Sequence, residues 1–211
     1  MKKDIINKLD IYKIKTSKEL LKYYQNWTSN NKYNKDMVDW NYTAPQETVS
    51  VLKKYALKKN SKILDAGCGT GLVGIELKKY GYLNIDGVDF SQNMLDLVPQ
   101  GTYKKIEKVD LNKLLKFKNN TYDVVMCVGT FTYGHVMPKA LDELIRITKN
   151  KGLICFTINE GIYEEYGFDN KIKELSSTKS WDVKEFFKSD YITNKKVEAW
   201  LCLAKVINKQ V

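Results

Sequence analysis

The segment ILDAGCGTG sets Gly67, Gly69 and Gly71 directly after a short apolar run and directly before a helix-like stretch. Glycines at such a junction let the backbone turn tightly and approach a ligand with no Cβ in the way. The spacing is G-x-G-x-G. A dinucleotide fingerprint needs a glycine where Leu72 stands, and a phosphate-cradling P-loop needs Lys then Ser or Thr where Leu72 and Val73 follow. NAD and ATP are therefore poor fits. Asp89 ends the next apolar run, where a carboxylate can accept hydrogen bonds from both hydroxyls of a ribose. Asp110 follows the third run, placed to accept from an exocyclic amine. Together they describe a nucleoside site. Asp65, before the loop, adds negative charge that a pyrophosphate would disfavour and a ligand with an ammonium and a sulfonium would welcome. This set of glycines and carboxylates points to S-adenosylmethionine.

The elements that must position these residues alternate. Residues 62–67, 82–90, 103–107, 121–129 and 152–159 read as strands, and helical periodicity fills the gaps, with Ser91 a fair N-cap for the helix that follows Asp89. Strands alternating with helices argue for a parallel sheet covered on both faces. After residue 160 the rhythm breaks: a helical segment near 162–176 precedes two strand-like runs joined by TNKK, an antiparallel pair at the sheet's end. The first 60 residues read as helices, with Pro45 suited to a first turn. The expected architecture is α/β: a Rossmann-like, doubly wound, mostly parallel sheet with helices on both faces. Residues 1–60 would form an N-terminal helical lid on a 61–211 core, the whole being one domain.

Composition fits a cytoplasmic protein. No run approaches the roughly 18 apolar residues of a membrane span, and the start, MKKDIINKLDIYKIK, shows no apolar signal region. Cys68, Cys127, Cys155 and Cys202 lie far apart with His135 the one histidine, so neither a zinc site nor a disulfide scaffold is supported, and no metal is expected. The net charge of +10 is mostly N-terminal, residues 1–60 holding 13 Lys against 6 acids. Only Arg146 among the 35 basic residues is arginine, the usual bidentate reader of phosphates and base edges, which weakens a nucleic-acid reading.

The chain resembles the class I S-adenosylmethionine-dependent methyltransferases over roughly residues 20–205. The likeness is carried by ILDAGCGTG (63–71), IDGVDFSQNML (85–95), VDL (109–111), YDVVMCVGTFTYGHV (122–136) and KGLICFTINEG (151–161). The segment at 23–45, with GTFTYGHV, is similar to the branch of the Williams-Beuren syndrome chromosome-region methyltransferase, although Asn34 follows Tyr33 where that branch usually has Asp. The resemblance implies that Asp65, Ala66 and the loop Gly67, Cys68, Gly69, Thr70 and Gly71 hold the methionine end, approached by Tyr33. Asp89 would bind the ribose, Phe90 and Met94 would flank the adenine, Asp110 and the Leu111 amide would read its edge, and Cys127 or Val128 would offer a carbonyl.

Methyl transfer needs a general base only when the acceptor must lose a proton. His135, just past the fourth strand, has the side chain whose ordinary pKa of about 6.5 suits that role. Tyr133 and Glu160 rank second as catalytic candidates. Residues 23–42 hold six aromatics, Tyr23, Tyr24, Trp27, Tyr33, Trp40 and Tyr42, which would roof the site, with Tyr33 and Trp40 expected to face the ligand. Cys68 reads as a small loop residue and not a nucleophile. The compact chain favours a small-molecule acceptor. RNA or protein methylation, supported by the basic N-terminus, and non-catalytic cofactor binding are the alternatives. Oligomeric state is left open.

Overall fold

The computed structural model describes residues 9–14 and 16–207. The first eight and last four residues of the expected domain lie outside the described residues. Among the described residues a short 3-10 helix (Asp10–Lys13) precedes three α-helices, α1 (Ser17–Thr28), α2 (Lys32–Asp39) and α3 (Ala44–Lys53). Thr16 starts α1 with a capping box, its side chain accepting from the Glu19 amide. Asn30 and Asn31 end it in left-handed conformations, φ 54° and 57°, which asparagine tolerates better than most residues. Pro45 sits in the first turn of α3, where a missing amide costs no bond.

The core then alternates β1 (Ile63–Ala66), α4 (Leu72–Lys79), β2 (Ile85–Asp89), α5 (Gln92–Leu95), β3 (Lys105–Lys108), β4 (Tyr122–Phe131), α6 (Ala140–Ile147), β5 (Thr148–Asn159) and α7 (Phe168–Ser177). It closes with β6 (Trp181–Ile192) and β7 (Val197–Val206). The sheet runs β3-β2-β1-β4-β5-β7-β6, with the first five strands parallel and β7 antiparallel to both its neighbours. Helices lie on both faces. β1 and the 124–127 stretch of β4 are buried at every position, as expected for parallel strands covered on both sides.

Strand order reverses between β1 and β4, whose carboxyl ends lie side by side through the pairings Ile63↔Val124 and Asp65↔Met126. Such a switch point leaves a crevice beyond the strand ends. The N-terminal helices reach it because Leu20, Tyr24 and Trp27 fall on one face of α1, at positions i, i+4 and i+7. The far end of α2 is anchored at the β6–β7 turn, where Asn194 donates from its amide to the Trp40 carbonyl (3.1 Å) and from Nδ2 to the Asp39 carbonyl (2.7 Å). No helix among the described residues is long and apolar enough to cross a membrane.

Candidate functional site

The glycine loop is fixed by its own backbone. The amides of Gly67 and Cys68 both donate to the Val88 carbonyl, at 2.8 and 2.9 Å, stapling the loop to β2. Gly67 has φ +82°, and a Cβ built there would stand 2.0 Å from Thr130 Oγ1, so glycine is required by both conformation and space. Gly69 differs: a Cβ there meets nothing within 4 Å, and the residue lines a cavity.

That cavity lies between the strand ends and the N-terminal helices and opens to solvent. Gly67, Cys68, Gly69 and Thr70 line it, as do Asp89, Phe90, Met94, Asp110, Leu111 and Val128. From the helices come Leu20, Tyr24, Tyr33 and Tyr42, and from the segment after β4 come His135 and Val136. The expected cofactor residues Asp65, Ala66, Gly71 and Cys127 do not line it. Asp65, Ala66 and Cys127 are fully buried behind the wall.

Asp89 joins loop to wall. Its Oδ2 accepts from the Gly69 amide (2.9 Å) and its Oδ1 from the Ser91 amide (2.8 Å). Each oxygen retains acceptor capacity toward a ligand hydroxyl. Burial raises the carboxyl above its ordinary value, while the Ser91, Gly69 and Phe90 amides pull the other way. Ser91 caps α5 by accepting from the Met94 amide, which seats Met94 in the wall. Asp110 accepts from the Asn112 amide at 3.0 Å, with Lys113 3.6 Å from its other oxygen.

Behind the loop, Tyr103 donates to Asp65 Oδ2 at 2.6 Å, and Asp65 Oδ1 is buried without a hydrogen-bond partner. Burial pushes this carboxyl up to about 7, the Tyr103 bond opposing the rise and the charge of Asp89 adding to it. An orphaned carboxylate oxygen beside a glycine loop suits a cationic ligand group more than an anionic one. Burial pushes the Cys68 and Cys127 thiols well up, so neither supplies a thiolate.

His135 is held at both ring nitrogens. Nδ1 lies 2.7 Å from the Tyr133 carbonyl and Nε2 lies 2.6 Å from the Tyr24 hydroxyl. A carbonyl only accepts, so Nδ1 carries the proton and Nε2 accepts from Tyr24. Burial pushes the imidazole down to about 4, which keeps it neutral at physiological pH. Asn112 ties the neighbouring loop in place, donating to the His135 carbonyl and accepting from the Met137 amide, each at 3.0 Å. A second strap crosses the mouth where Thr70 donates to Asn34 Oδ1 at 2.6 Å.

The other expected residues lie apart. Tyr133 packs its ring on Tyr12 and Tyr166, outside the cavity lining, and reaches His135 only through its carbonyl. Glu160 also stands outside the lining; its Oε1 accepts from the Glu198 amide at 3.3 Å on the β5–β7 side. Trp40, expected to face a ligand, instead packs on Trp27 with the Lys195 ammonium 5.1 Å above its ring, because the end of α2 is drawn to the β6–β7 turn. Sequence reasoning had not singled out Leu20, Asn112 or Val136, and it gave Tyr24 and Tyr42 only as members of the aromatic cluster. The i, i+4 spacing of Leu20 and Tyr24 was the available signal.

Comparison with known proteins is consistent in direction. A methyltransferase-domain family profile matches residues 64–156. Methyltransferase-like protein 27 of Homo sapiens is 36% identical over 142 residues, 65% of this chain and 56% of that protein. An uncharacterised protein of Methanocaldococcus jannaschii is 33% identical over 162 residues, 74% of this chain and 68% of its own length. The chain thus spans little more than half of the human relative. Among solved structures, phosphoethanolamine N-methyltransferase 2 of Haemonchus contortus, in complex with phosphomonomethylethanolamine and S-adenosylhomocysteine, superposes with a TM-score of 0.65 at 15% identity. That likeness covers 88% of this chain and 59% of the other, and it is a likeness of fold.

Proposed function

Because the chain belongs to the class I S-adenosylmethionine-dependent methyltransferase family, we propose that it transfers a methyl group from S-adenosylmethionine to a small-molecule acceptor by in-line displacement. The observation that carries this reading is the meeting of the glycine loop, Asp89 and Asp110 at one cavity under the N-terminal aromatic residues. Bound there, S-adenosylmethionine supplies a methyl carbon activated by its sulfonium.

The residues fit that cofactor. Asp89 has acceptor capacity for the ribose hydroxyls, Phe90, Met94 and Leu111 offer an apolar slot for the adenine, and Asp110 accepts from its amino group. The bare backbone at Gly69 allows close approach at the methionine end, with Tyr33 above it. Asp65, a buried carboxyl behind the loop, becomes negative when the ammonium sits beside it. Helices α1 and α2 serve as a lid that excludes water and fixes the acceptor's approach.

His135 handles an acceptor proton in this reading as a weaker base than its residue type promised, because burial pushes its imidazole from about 6.5 down to about 4. Its accepting nitrogen is covered by the Tyr24 hydroxyl, so the proton passes through Tyr24 to Nε2 while the Tyr133 carbonyl holds the tautomer. A cytoplasmic setting accompanies the reading, supported by four cysteines that are all free thiols. Isothermal titration of the protein with S-adenosylmethionine, followed by transfer of a labelled methyl group to fractions of a metabolite extract, tests the proposal. Saturable binding and label in a low-molecular-weight fraction are expected; failure to bind the cofactor overturns it.

A further inference from the structure

The charge of the cavity is opposite to that of the chain. The chain carries 35 Lys and Arg against 25 Asp and Glu. Among the described residues, no Lys or Arg lines the cavity, whereas Asp89 and Asp110 do. Lys113 pairs with Asp110 at 3.6 Å but is a solvent-facing side chain, 78% exposed. His135, the one titratable base in the wall, is neutral, and burial holds the hydroxyls of Tyr24 and Tyr33 in their protonated form.

Among the described residues one electropositive feature remains, the N-terminus of α4 behind the glycine loop. Under the reading above, the carboxylate of the cofactor's methionine end takes that position. The rest of the wall consists of apolar side chains such as Leu20 and Val136, aromatic faces, and neutral hydroxyl and amide groups. A phosphate or carboxylate entering there would lose its hydration, gain no Lys or Arg among the described residues, and stand near two aspartates, with the cofactor's sulfonium as the sole compensating charge.

We propose that the methyl acceptor of this protein carries no negative charge: it is a neutral or amine-bearing small molecule, and phosphorylated or carboxylated molecules are excluded. The proposal rests on the methyltransferase reading and narrows its acceptor. In the transfer, a lone pair on the acceptor atom forms the new bond to the methyl carbon as the carbon–sulfur bond breaks and its electron pair returns to sulfur. Any proton on the acceptor atom leaves to Tyr24 and His135 or to water. The phosphorylated acceptor held by the Haemonchus contortus enzyme therefore does not transfer to this chain with the fold.

The test uses the full chain and labelled S-adenosylmethionine with a metabolite extract, separated after reaction on an anion exchanger at pH 8. Label in the unretained neutral and cationic fraction supports the proposal. Label on retained anionic molecules overturns it while leaving methyl transfer intact. No label in any fraction removes the methyltransferase reading and this proposal with it. A second readout needs no turnover: the melting temperature of the protein with S-adenosylhomocysteine is measured with phenyl phosphate against inorganic phosphate at equal ionic strength. Equal melting temperatures support anion exclusion, and extra stabilisation by phenyl phosphate overturns it.

Discussion

The hydroxyl of Tyr24 donates to Nε2 of His135 across 2.6 Å, joining the first helix to the segment after β4 at the cavity wall. The two residues are 111 positions apart, so the contact is a tertiary bond between α1 and the segment after β4. Tyr24→Phe keeps the ring and removes the bond. Expected are a loss of roughly 1 kcal/mol of stability and a fall in kcat of about tenfold or more for acceptors that must lose a proton. Denaturant unfolding and the kcat-against-pH profile check the two effects, with cofactor affinity unchanged.

His135 also makes stability depend on acid. Its imidazole is neutral in the fold down to about 4 and ordinarily protonates near 6.5. The folded pKa is the lower one, so the unfolded chain binds the extra proton first. Stability is full above about 6.5 and declines as pH falls toward 4, by on the order of 3 kcal/mol. His135→Gln should flatten that decline, as read by urea denaturation at pH 7, 6, 5 and 4.

Asp89→Ala removes the acceptor for a ligand's ribose and also releases the amides of Gly69 and Ser91. Two charge-assisted hydrogen bonds at about 1.5–3 kcal/mol each predict a loss of cofactor affinity of at least about a hundredfold. Isothermal titration measures it. Circular dichroism should show an unchanged fold, since Asp89 stands at the end of its strand.

Asp65 works in the reverse direction to His135. Its folded pKa, pushed up to about 7, lies above the ordinary 3.8, so the fold holds a proton that the unfolded chain has released. Its contribution to stability is present below about 3.8 and is lost as pH rises toward 7. Asp65→Asn should therefore gain stability relative to wild type between pH 4 and 8. Binding of a cationic ligand group beside Asp65 should expel its proton near pH 6, making the wild-type binding enthalpy depend on the buffer's ionisation heat and that of Asp65→Asn independent of it.

Gly67→Ala places a methyl group 2.0 Å from Thr130 Oγ1 on a backbone at φ +82°. A loss of about 2 kcal/mol or more follows from strain and overpacking together. Gly69→Ala has open space around its Cβ, so its cost to stability is smaller and its cost falls on ligand binding instead. Thermal unfolding with and without S-adenosylhomocysteine separates the two variants.

The glycine loop, Asp89 and Asp110 were legible in the sequence because each lies within a few residues of the strand that positions it. The antiparallel final pair was also legible, from two strand-like runs and a polar turn. The placement of Trp40 was not, since aromatic clustering does not say that α2 is pinned to the β6–β7 turn. Nor was the bond from Thr70 to Asn34, or that from Tyr24 to His135, whose partners meet only after the helices pack across the strand ends. His135 could be named as a candidate base from its type and place. That both of its nitrogens are already engaged is a property of the packed chain.

The reversal of charge between surface and cavity has a kinetic consequence. At neutral pH a molecule with one carboxylate, one ammonium and one sulfonium carries a net positive charge and meets a protein of formal net charge +10. The long-range field slows its approach, and the aspartates hold it once it is inside. Added salt screens the long-range repulsion more than the short-range attraction. Cofactor capture should therefore quicken as ionic strength rises, the opposite of the behaviour of most steered enzymes, while the rate of release changes little.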